Sequence, residues 1–213
     1  MHPLLCPALN NVYAKLKVKD QDMKVWSNSA IREDFEWARQ KVMESDRVFL
    51  LESVMWEVSD ATCILETDAC PEGYAYWYPP TRQGFSIATP RDTPFTRIIF
   101  FEALAVLSAL NDAHHRFPRG SKILIYSDNS TTVAMFNSLW ALPEYNCILK
   151  AAVDILLKGK HQLTVLHIAG QSNTVADALS RGEFMHALDL QPTLLSSLLS
   201  PTRLLNTINL HQY

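Results

Sequence analysis

Four carboxylates stand out because each lies in an otherwise apolar stretch of the chain. Asp68 closes the segment ILETD, Asp128 closes LIYSD, and Asp177 lies in NTVADALSR. Glu102 is the one polar residue of IIFFEALAVL. Burying an ionised carboxylate without a partner costs several kcal/mol or more, so an acid in such a helix must be protonated or must find a partner elsewhere in the chain.

Bringing these acids together favours a particular chemistry. Two unit charges about 4 Å apart repel by about 4 kcal/mol at an effective dielectric near 20, and divalent cations reverse the sign of that energy. Sites built from oxygen ligands select hard ions, and Mg²⁺ is commonly held by a few carboxylates plus water and substrate phosphate. Two such ions about 3.5 to 4 Å apart can activate a water and stabilise the leaving oxygen of a phosphodiester displacement. The acids therefore predict a metal site for phosphodiester chemistry.

Each acid also has an ordinary structural interpretation. An Asp that closes a strand, such as Asp68 or Asp128, is often a turn former or a helix cap. Asp177 follows Asn173 closely enough to be a first-turn acid stabilised by the helix dipole, and Glu102 could lie at the edge of an apolar face. These alternatives stay open for each residue alone, and the occurrence of all four together favours the metal site.

Three short β-like runs precede the helix that contains Glu102. They are ATCILETD, GYAYWYP and GFSIAT, and turn-forming residues at 71–73 and 79–84 separate them. Three consecutive strands with short turns predict an antiparallel meander.

Helices and strands alternate after the meander. The patterns predict a helix over 96–115, a strand over 122–128, a helix from 129, a helix over 144–158, a strand over 161–169 and a helix over 173–181. The predicted fold class is therefore α/β, with a mixed five-stranded sheet of three antiparallel strands followed by alternating α and β, and with helices on both faces. Strand ends on one side of such a sheet are where functional groups collect.

Composition narrows the protein class. The chain has 213 residues, 48% of them hydrophobic, which is enough for a globular core, and its net charge of −3 predicts no bulk attraction for nucleic acid. Four cysteines without a CxxC pair suggest neither a zinc site nor a disulfide framework. The sequence has no signal-like N-terminus and no apolar run that could span a bilayer. We expect an intracellular protein, cytoplasmic or nuclear, that is not secreted and has no membrane partner.

Residues 60 to 182 resemble the ribonuclease H domain of retroelement reverse transcriptases. The most specific match is HIAGQSNTVADALSR, residues 167–181, which is similar to the last strand, loop and helix of gypsy-type and DIRS-type enzymes. ETDAC and YSDNSTTV resemble two further acidic motifs of that family, and FFEALAV resembles its Glu-bearing helix. The resemblance implies a ribonuclease-H-like fold and Mg²⁺-dependent hydrolysis of the RNA strand of an RNA–DNA hybrid.

The resemblance also implies roles for individual residues. It implies two Mg²⁺ ions, with Mn²⁺ as a possible substitute, bound by four catalytic acids: Asp68, Glu102, Asp128 and Asp177. We expect a second group of polar residues to contact the hybrid: Asn129, Ser130, Gln171 and Asn173. The triplet Asn129-Ser130-Thr131 is also expected to cap the helix that follows, with Asn129 or Ser130 near the substrate groove.

One departure from the family leaves alternatives open. Cellular and retroviral relatives have a His after the Gly of the last loop, and here that position is Gln171. Its loss predicts lower turnover, and it favours as an alternative a weak or inactive domesticated module that binds nucleic acid or serves as a scaffold. An integrase-like strand-transfer enzyme is disfavoured because such enzymes need no acid at the position of Glu102.

The predicted organisation has three parts. Residues 1–58 form a helical segment similar to a polymerase connection, residues 59–184 form the ribonuclease-H-like domain, and residues 185–213 form a tail of unknown role. The similarity to a polymerase connection rests on three segments: LNNVYAKLKVK, REDFEWARQKV and SVMW. The second segment belongs to a predicted helix over 30–46, whose apolar face includes Ile31, Phe35, Ala38 and Val42. The paired aspartates of a polymerase are missing. The chain is therefore expected to be a polyprotein fragment, with a polymerase domain as partner, or a domesticated remnant.

Overall fold

The centre of the fold is a six-stranded sheet. The computed structural model describes residues 3–17, 26–44, 56–89 and 97–199. Its strands are β1 Cys63–Ala69, β2 Gly73–Tyr78, β3 Gln83–Ala88, β4 Lys122–Ser127, β5 Gln162–His167 and β6 Leu195–Leu199. They are arranged in the order β5-β4-β1-β2-β3-β6.

Strand directions confirm the predicted mixed sheet. β1, β2 and β3 form an antiparallel meander, and β4 and β5 run parallel to β1. All five predicted strands are present, and their order and directions are those of a ribonuclease-H-like sheet. β6 was not predicted, and it extends the sheet by pairing in parallel with the outer edge of β3.

Seven α-helices accompany the sheet in the described part of the chain. They are α1 Asn10–Leu16, α2 Ser29–Glu44, α3 Ile98–Arg116, α4 Ser130–Ser138, α5 Asn146–Gly159, α6 Thr174–Ser180 and α7 Phe184–Leu190. Short 3-10 turns add Pro3–Leu9, Val58–Asp60, Pro143–Tyr145 and Gly170–Ser172. The predicted helices correspond to α2, α3, α4, α5 and α6, whereas α1 and α7 were not predicted.

The long helix α3 is the main element of the larger core. Its residues from Phe100 to Leu110 are all buried, and it packs against β1, β2 and α5. The helix ends at Arg116 because Phe117 is extended and precedes Pro118, a pairing that disfavours the helical region. A helix that is apolar on nearly all sides is held rigidly on the sheet, so any polar group on it has a fixed position.

The opposite face of the sheet is covered by α6. Val175, Ala178 and Leu179 pack there against Ala75 and Trp77 of β2. Helices therefore cover both faces, as predicted.

The N-terminal helices pack against α5. Leu5, Ala8 and Ala38 form a small apolar cluster between the first 3-10 turn and α2. Of the face predicted for α2, Ile31 and Ala38 are buried, whereas Phe35 and Val42 are exposed. Residues 53–55 of the predicted connection-like motif SVMW lie outside the described residues. The last part of the predicted tail, 200–213, also lies outside them.

Among the helices of the described residues, none is both long enough and apolar enough to cross a bilayer.

Candidate metal centre

Three of the four predicted acids converge at one end of the sheet. Asp68 is the penultimate residue of β1, and Asp128 directly follows β4. These strands are parallel neighbours whose register pairs Thr67 with Ser127, so the next residue of each strand lies beside the other. Glu102, the fifth residue of α3, completes the group, and one carboxylate oxygen from each acid lies within 4.8 Å of the others.

The environment of this cluster disfavours the ionised form of its three carboxylates. Burial, followed by the charges of Asp68 and Asp128, raises the pKa of Glu102 to about 9. Burial is also the largest cause that raises the pKa of Asp68 to about 6, with Asp128 and Asp177 adding to it. The pKa of Asp128 is raised as well, chiefly by burial. Protein groups alone therefore do not balance three negative charges here.

The donor set fits a hard divalent cation. Oε2 of Glu102 is buried and has no hydrogen-bond partner among the described residues. An unpartnered buried carboxylate oxygen is costly unless something positive binds it. Three carboxylates are the ligand type that Mg²⁺ and Mn²⁺ prefer, so the cluster is a candidate metal centre.

The fourth predicted acid, Asp177, lies outside this three-carboxylate group. Its Oδ1 accepts a hydrogen bond from Nε of Arg181 at 2.8 Å and lies 2.8 Å from Nη2 of the same guanidinium, with which it forms an ion pair. Asp177 is nevertheless close enough that its charge raises the pKa of Asp68 and of Asp128. Its role as a metal ligand stays a prediction.

Helix α6 is attached to β1 at both of its ends. Before its first turn, Nδ2 of Asn173 donates to the carbonyl oxygen of Thr67 at 2.9 Å. At its last residue, Oγ of Ser180 donates to Oδ2 of Asp68 at 2.6 Å. Ser180 was not predicted, because nothing in the sequence distinguishes it from any other small helical residue until β1 is placed beside it.

The residues expected to contact substrate occupy different environments. Asn173 is fully buried and holds the backbone of β1, which favours a positioning role over direct contact. Asn129 caps α4, as predicted, because its Oδ1 accepts a hydrogen bond from the backbone N–H of Thr132 at 3.0 Å. Ser130 and Gln171 are exposed. Substrate contact stays a prediction for all four predicted residues.

The loop after β5 lies directly against the cluster. A Cβ on Gly170 would lie 3.1 Å from Oδ2 of Asp128, so glycine leaves the carboxylate room. Nε2 of His167 lies 3.1 Å from the carbonyl oxygen of Asp128. The loop therefore helps to shape the site through glycine and through backbone contacts.

Comparisons with known proteins found structural similarity. No protein-family model matches the chain, and no curated protein matches it. LC11-RNase H1 in complex with an RNA/DNA hybrid is 17% identical, with a TM-score of 0.46, and the match covers 55% of this chain and 93% of that chain. The N-terminal RNase H domain of Rv2228c from Mycobacterium tuberculosis, solved as a fusion with maltose-binding protein, is 13% identical, with a TM-score of 0.44 and coverage of 61% and 99%.

A third similar structure comes from an archaeon. RNase H1 from the halophile Halobacterium salinarum NRC-1 is 16% identical, with a TM-score of 0.40, and the match covers 60% of this chain and 96% of that chain. The ribonuclease-H-like fold assignment rests on this chain's own strand order and directions.

Proposed function

We propose that this protein hydrolyses the RNA strand of RNA–DNA hybrids in a reaction that depends on Mg²⁺. The observation that carries the proposal is the convergence of Asp68, Glu102 and Asp128 around a buried carboxylate oxygen without a partner. These three acids would hold the metal, and Asp177 is proposed as a fourth ligand. When bound, two Mg²⁺ ions, for which Mn²⁺ would substitute, would supply an activated water and stabilisation of the leaving oxygen.

The fold of the chain holds the metal-binding carboxylates of this proposal in place. Packing of α3 fixes Glu102, and the parallel register of β1 and β4 fixes Asp68 beside Asp128. A site held by helices and strands keeps its ligands in a fixed geometry, which is what in-line displacement requires. Since the chain has a net charge of −3, attraction for a polyanionic hybrid must come from local groups and bound cations.

The proposed biological context is a gypsy-like or DIRS-like retroelement. The resemblance of residues 167–181 to the last motif of those enzymes supports it. In that context a polymerase domain of the same element is the proposed partner.

A second candidate is a hybrid-binding module without catalysis. Two observations favour it: Gln171 stands where relatives have a loop His, and Asp177 is paired with Arg181. This candidate predicts tight hybrid binding with no cleavage at saturating Mg²⁺. The leading proposal predicts cleavage under the same conditions.

A substrate panel tests the proposal. The full chain is incubated with Mg²⁺ and end-labelled RNA–DNA hybrid, duplex DNA or duplex RNA of the same sequence. We expect cleavage of the RNA strand of the hybrid alone, and its loss when EDTA is added. An intact hybrid at micromolar protein would reject the catalytic proposal, and a parallel filter-binding measurement would then decide for or against the binding module.

A further inference from the structure

Ser180 is the one side chain of α6 that touches the three-carboxylate cluster through a hydrogen bond in the described structure. It is the last residue of the helix and is 2% exposed. Two acceptors lie within reach of its hydroxyl: Oδ2 of Asp68 at 2.6 Å and the carbonyl oxygen of Asp177 at 2.8 Å.

A serine hydroxyl has one hydrogen, so it cannot donate to both acceptors at once. A carboxylate oxygen is the stronger acceptor, and charge-assisted hydrogen bonds between oxygens are also the shorter ones. The distances agree, because the contact to Asp68 is the shorter of the two. The hydroxyl therefore donates to Asp68, and the carbonyl of Asp177 lies beside it.

The position of this hydroxyl is fixed by its surroundings. A Cβ on Gly73 would lie 2.6 Å from the carbonyl oxygen of Ser180, so glycine in β2 is what allows the end of α6 to approach the sheet. Sγ of Cys70 lies 3.2 Å from the same carbonyl oxygen. At the other end of the helix, the bond from Asn173 to Thr67 prevents α6 from sliding along β1. The donor is thus built into the scaffold.

We infer that Ser180 is a positioning residue that holds one oxygen of Asp68, so that the second oxygen is oriented toward a cation shared with Glu102 and Asp128. This inference rests on the proposed function, since it names a support for the same metal site. Donors that orient a metal-binding carboxylate commonly change metal affinity by about 10- to 100-fold when they are removed.

Isothermal titration of the full chain with Mn²⁺ tests the inference without requiring turnover. Wild type is compared with Ser180→Ala and with the matched control Ser108→Ala. Ser108 is an equally buried helical serine whose Oγ donates to the carbonyl oxygen of Leu104 at 2.7 Å. We expect Ser180→Ala to bind Mn²⁺ about 10- to 100-fold more weakly and the control to match wild type.

Two further readouts separate positioning from simple structural support. Ser180→Thr keeps the hydroxyl and is expected to restore most of the Mn²⁺ affinity. In hybrid cleavage at fixed subsaturating Mn²⁺, Ser180→Ala is expected to lower kcat while the KM for hybrid stays unchanged, because the serine contacts Asp68 and not the substrate.

The outcomes distinguish the two proposals. If wild type binds no Mn²⁺, the proposed function itself fails. If wild type binds Mn²⁺ and Ser180→Ala binds it equally well, or if Ser180→Thr is as weak as Ser180→Ala, the positioning role is overturned while the metal site stands.

Discussion

Glu102 lies among apolar neighbours on α3, and one of its carboxylate oxygens is buried without a hydrogen-bond partner in the described structure. Folding the metal-free protein therefore includes the cost of burying this acid beside Asp68 and Asp128. The same arrangement provides a ligand set for a divalent cation, which would offset that cost when bound.

Replacing Glu102 separates these two effects. Glu102→Gln is expected to leave the fold intact and to raise the Tm of the metal-free protein at pH 8, because it removes a buried acid beside two others. It is also expected to abolish the Tm increase that Mn²⁺ produces in wild type. Thermal unfolding with and without Mn²⁺ measures both effects. A variant that unfolds at lower temperature than wild type in EDTA would instead identify Glu102 as a structural residue.

Metal-free stability should depend on pH in a direction set by the same residue. The pKa of Glu102 is raised from its ordinary value of 4.5 to about 9, so in that interval the folded protein holds more protons than the unfolded chain. The free energy of unfolding must then fall as pH rises, with this contribution fully present below about 4.5 and lost above about 9.

Urea unfolding in EDTA between pH 5 and pH 9 checks this dependence. The free energy of unfolding should fall less steeply with pH in Glu102→Gln than in wild type. Asp68, with its pKa of about 6, is expected to add a further decline at the acid end of the interval. A wild-type stability that rises with pH over this range would contradict the account.

At the scale of elements, one of the two edges of the sheet is covered by a side chain. Asn137 of α4 reaches the edge strand β5, where its Nδ2 donates to the carbonyl oxygen of Val165 at 2.6 Å and its Oδ1 accepts from the N–H of Val165 at 3.0 Å. The amide thus substitutes for a neighbouring strand at this position, which limits pairing with other chains.

Asn137→Ala is therefore expected to destabilise the protein by about 1 to 2 kcal/mol, since both hydrogen bonds to the backbone are lost. Ser138→Ala is the control, because Ser138 is also exposed on α4 but its hydrogen bonds are local: its Oγ donates to the carbonyl oxygen of Ala134 and accepts from the N–H of Trp140. Its effect should stay within about 0.5 kcal/mol. Chemical denaturation measures both, and equal effects would show that the contact with β5 contributes little.

At the scale of the whole molecule, a buried polar network joins the N-terminal helices to α5. Asp34 of α2 is 0% exposed and pairs with Lys150, and it accepts a hydrogen bond from Asn11 at 2.8 Å. Asn146 of α5 donates to the carbonyl oxygen of Pro7 at 3.0 Å and accepts from Asn10 at 2.8 Å. The described N-terminal residues are therefore packed into the fold rather than tethered to it.

Breaking this network should cost far more than breaking a surface ion pair. Lys150→Met leaves the buried charge of Asp34 uncompensated and is expected to destabilise the protein by about 3 to 5 kcal/mol. Lys41→Met is the matched control: the lysine side chains are 17% and 18% exposed, but Asp154, which pairs with Lys41, is 42% exposed. The control should lose less than about 1 kcal/mol. Similar losses of unfolding free energy would argue against the network as the main attachment.

The local patterns of the sequence were sufficient to predict five of the six strands and to single out the three carboxylates that converge in the structure. Alternating runs and turn residues predicted each of the five strands. Glu102 was singled out because it is an acid within an apolar helix, and burying a charge there is costly. Contacts between distant segments were not predictable in the same way. Ser180 and the pairing of β6 with β3 depend on which elements become neighbours, and short-range periodicity does not encode this.

Asp177 illustrates the same limit for a predicted residue. Its motif and its position on α6 were predicted, but its pairing with Arg181 depends on rotamers that the sequence does not specify. The predicted apolar face of α2 is likewise only half buried. Periodicity shows which residues share a face, but it does not show how far the covering element extends.

The most direct test of the central claim is hybrid cleavage by wild type beside two conservative variants, Glu102→Gln and Glu66→Gln. Glu66 is the matched control, since it is a partly buried acid of β1 whose pKa is also raised by burial, but it bonds Trp77 and lies outside the cluster. With Mg²⁺ and a labelled RNA–DNA hybrid, the account predicts RNA cleavage by wild type and Glu66→Gln and none by Glu102→Gln. Cleavage by Glu102→Gln at the wild-type rate would contradict it.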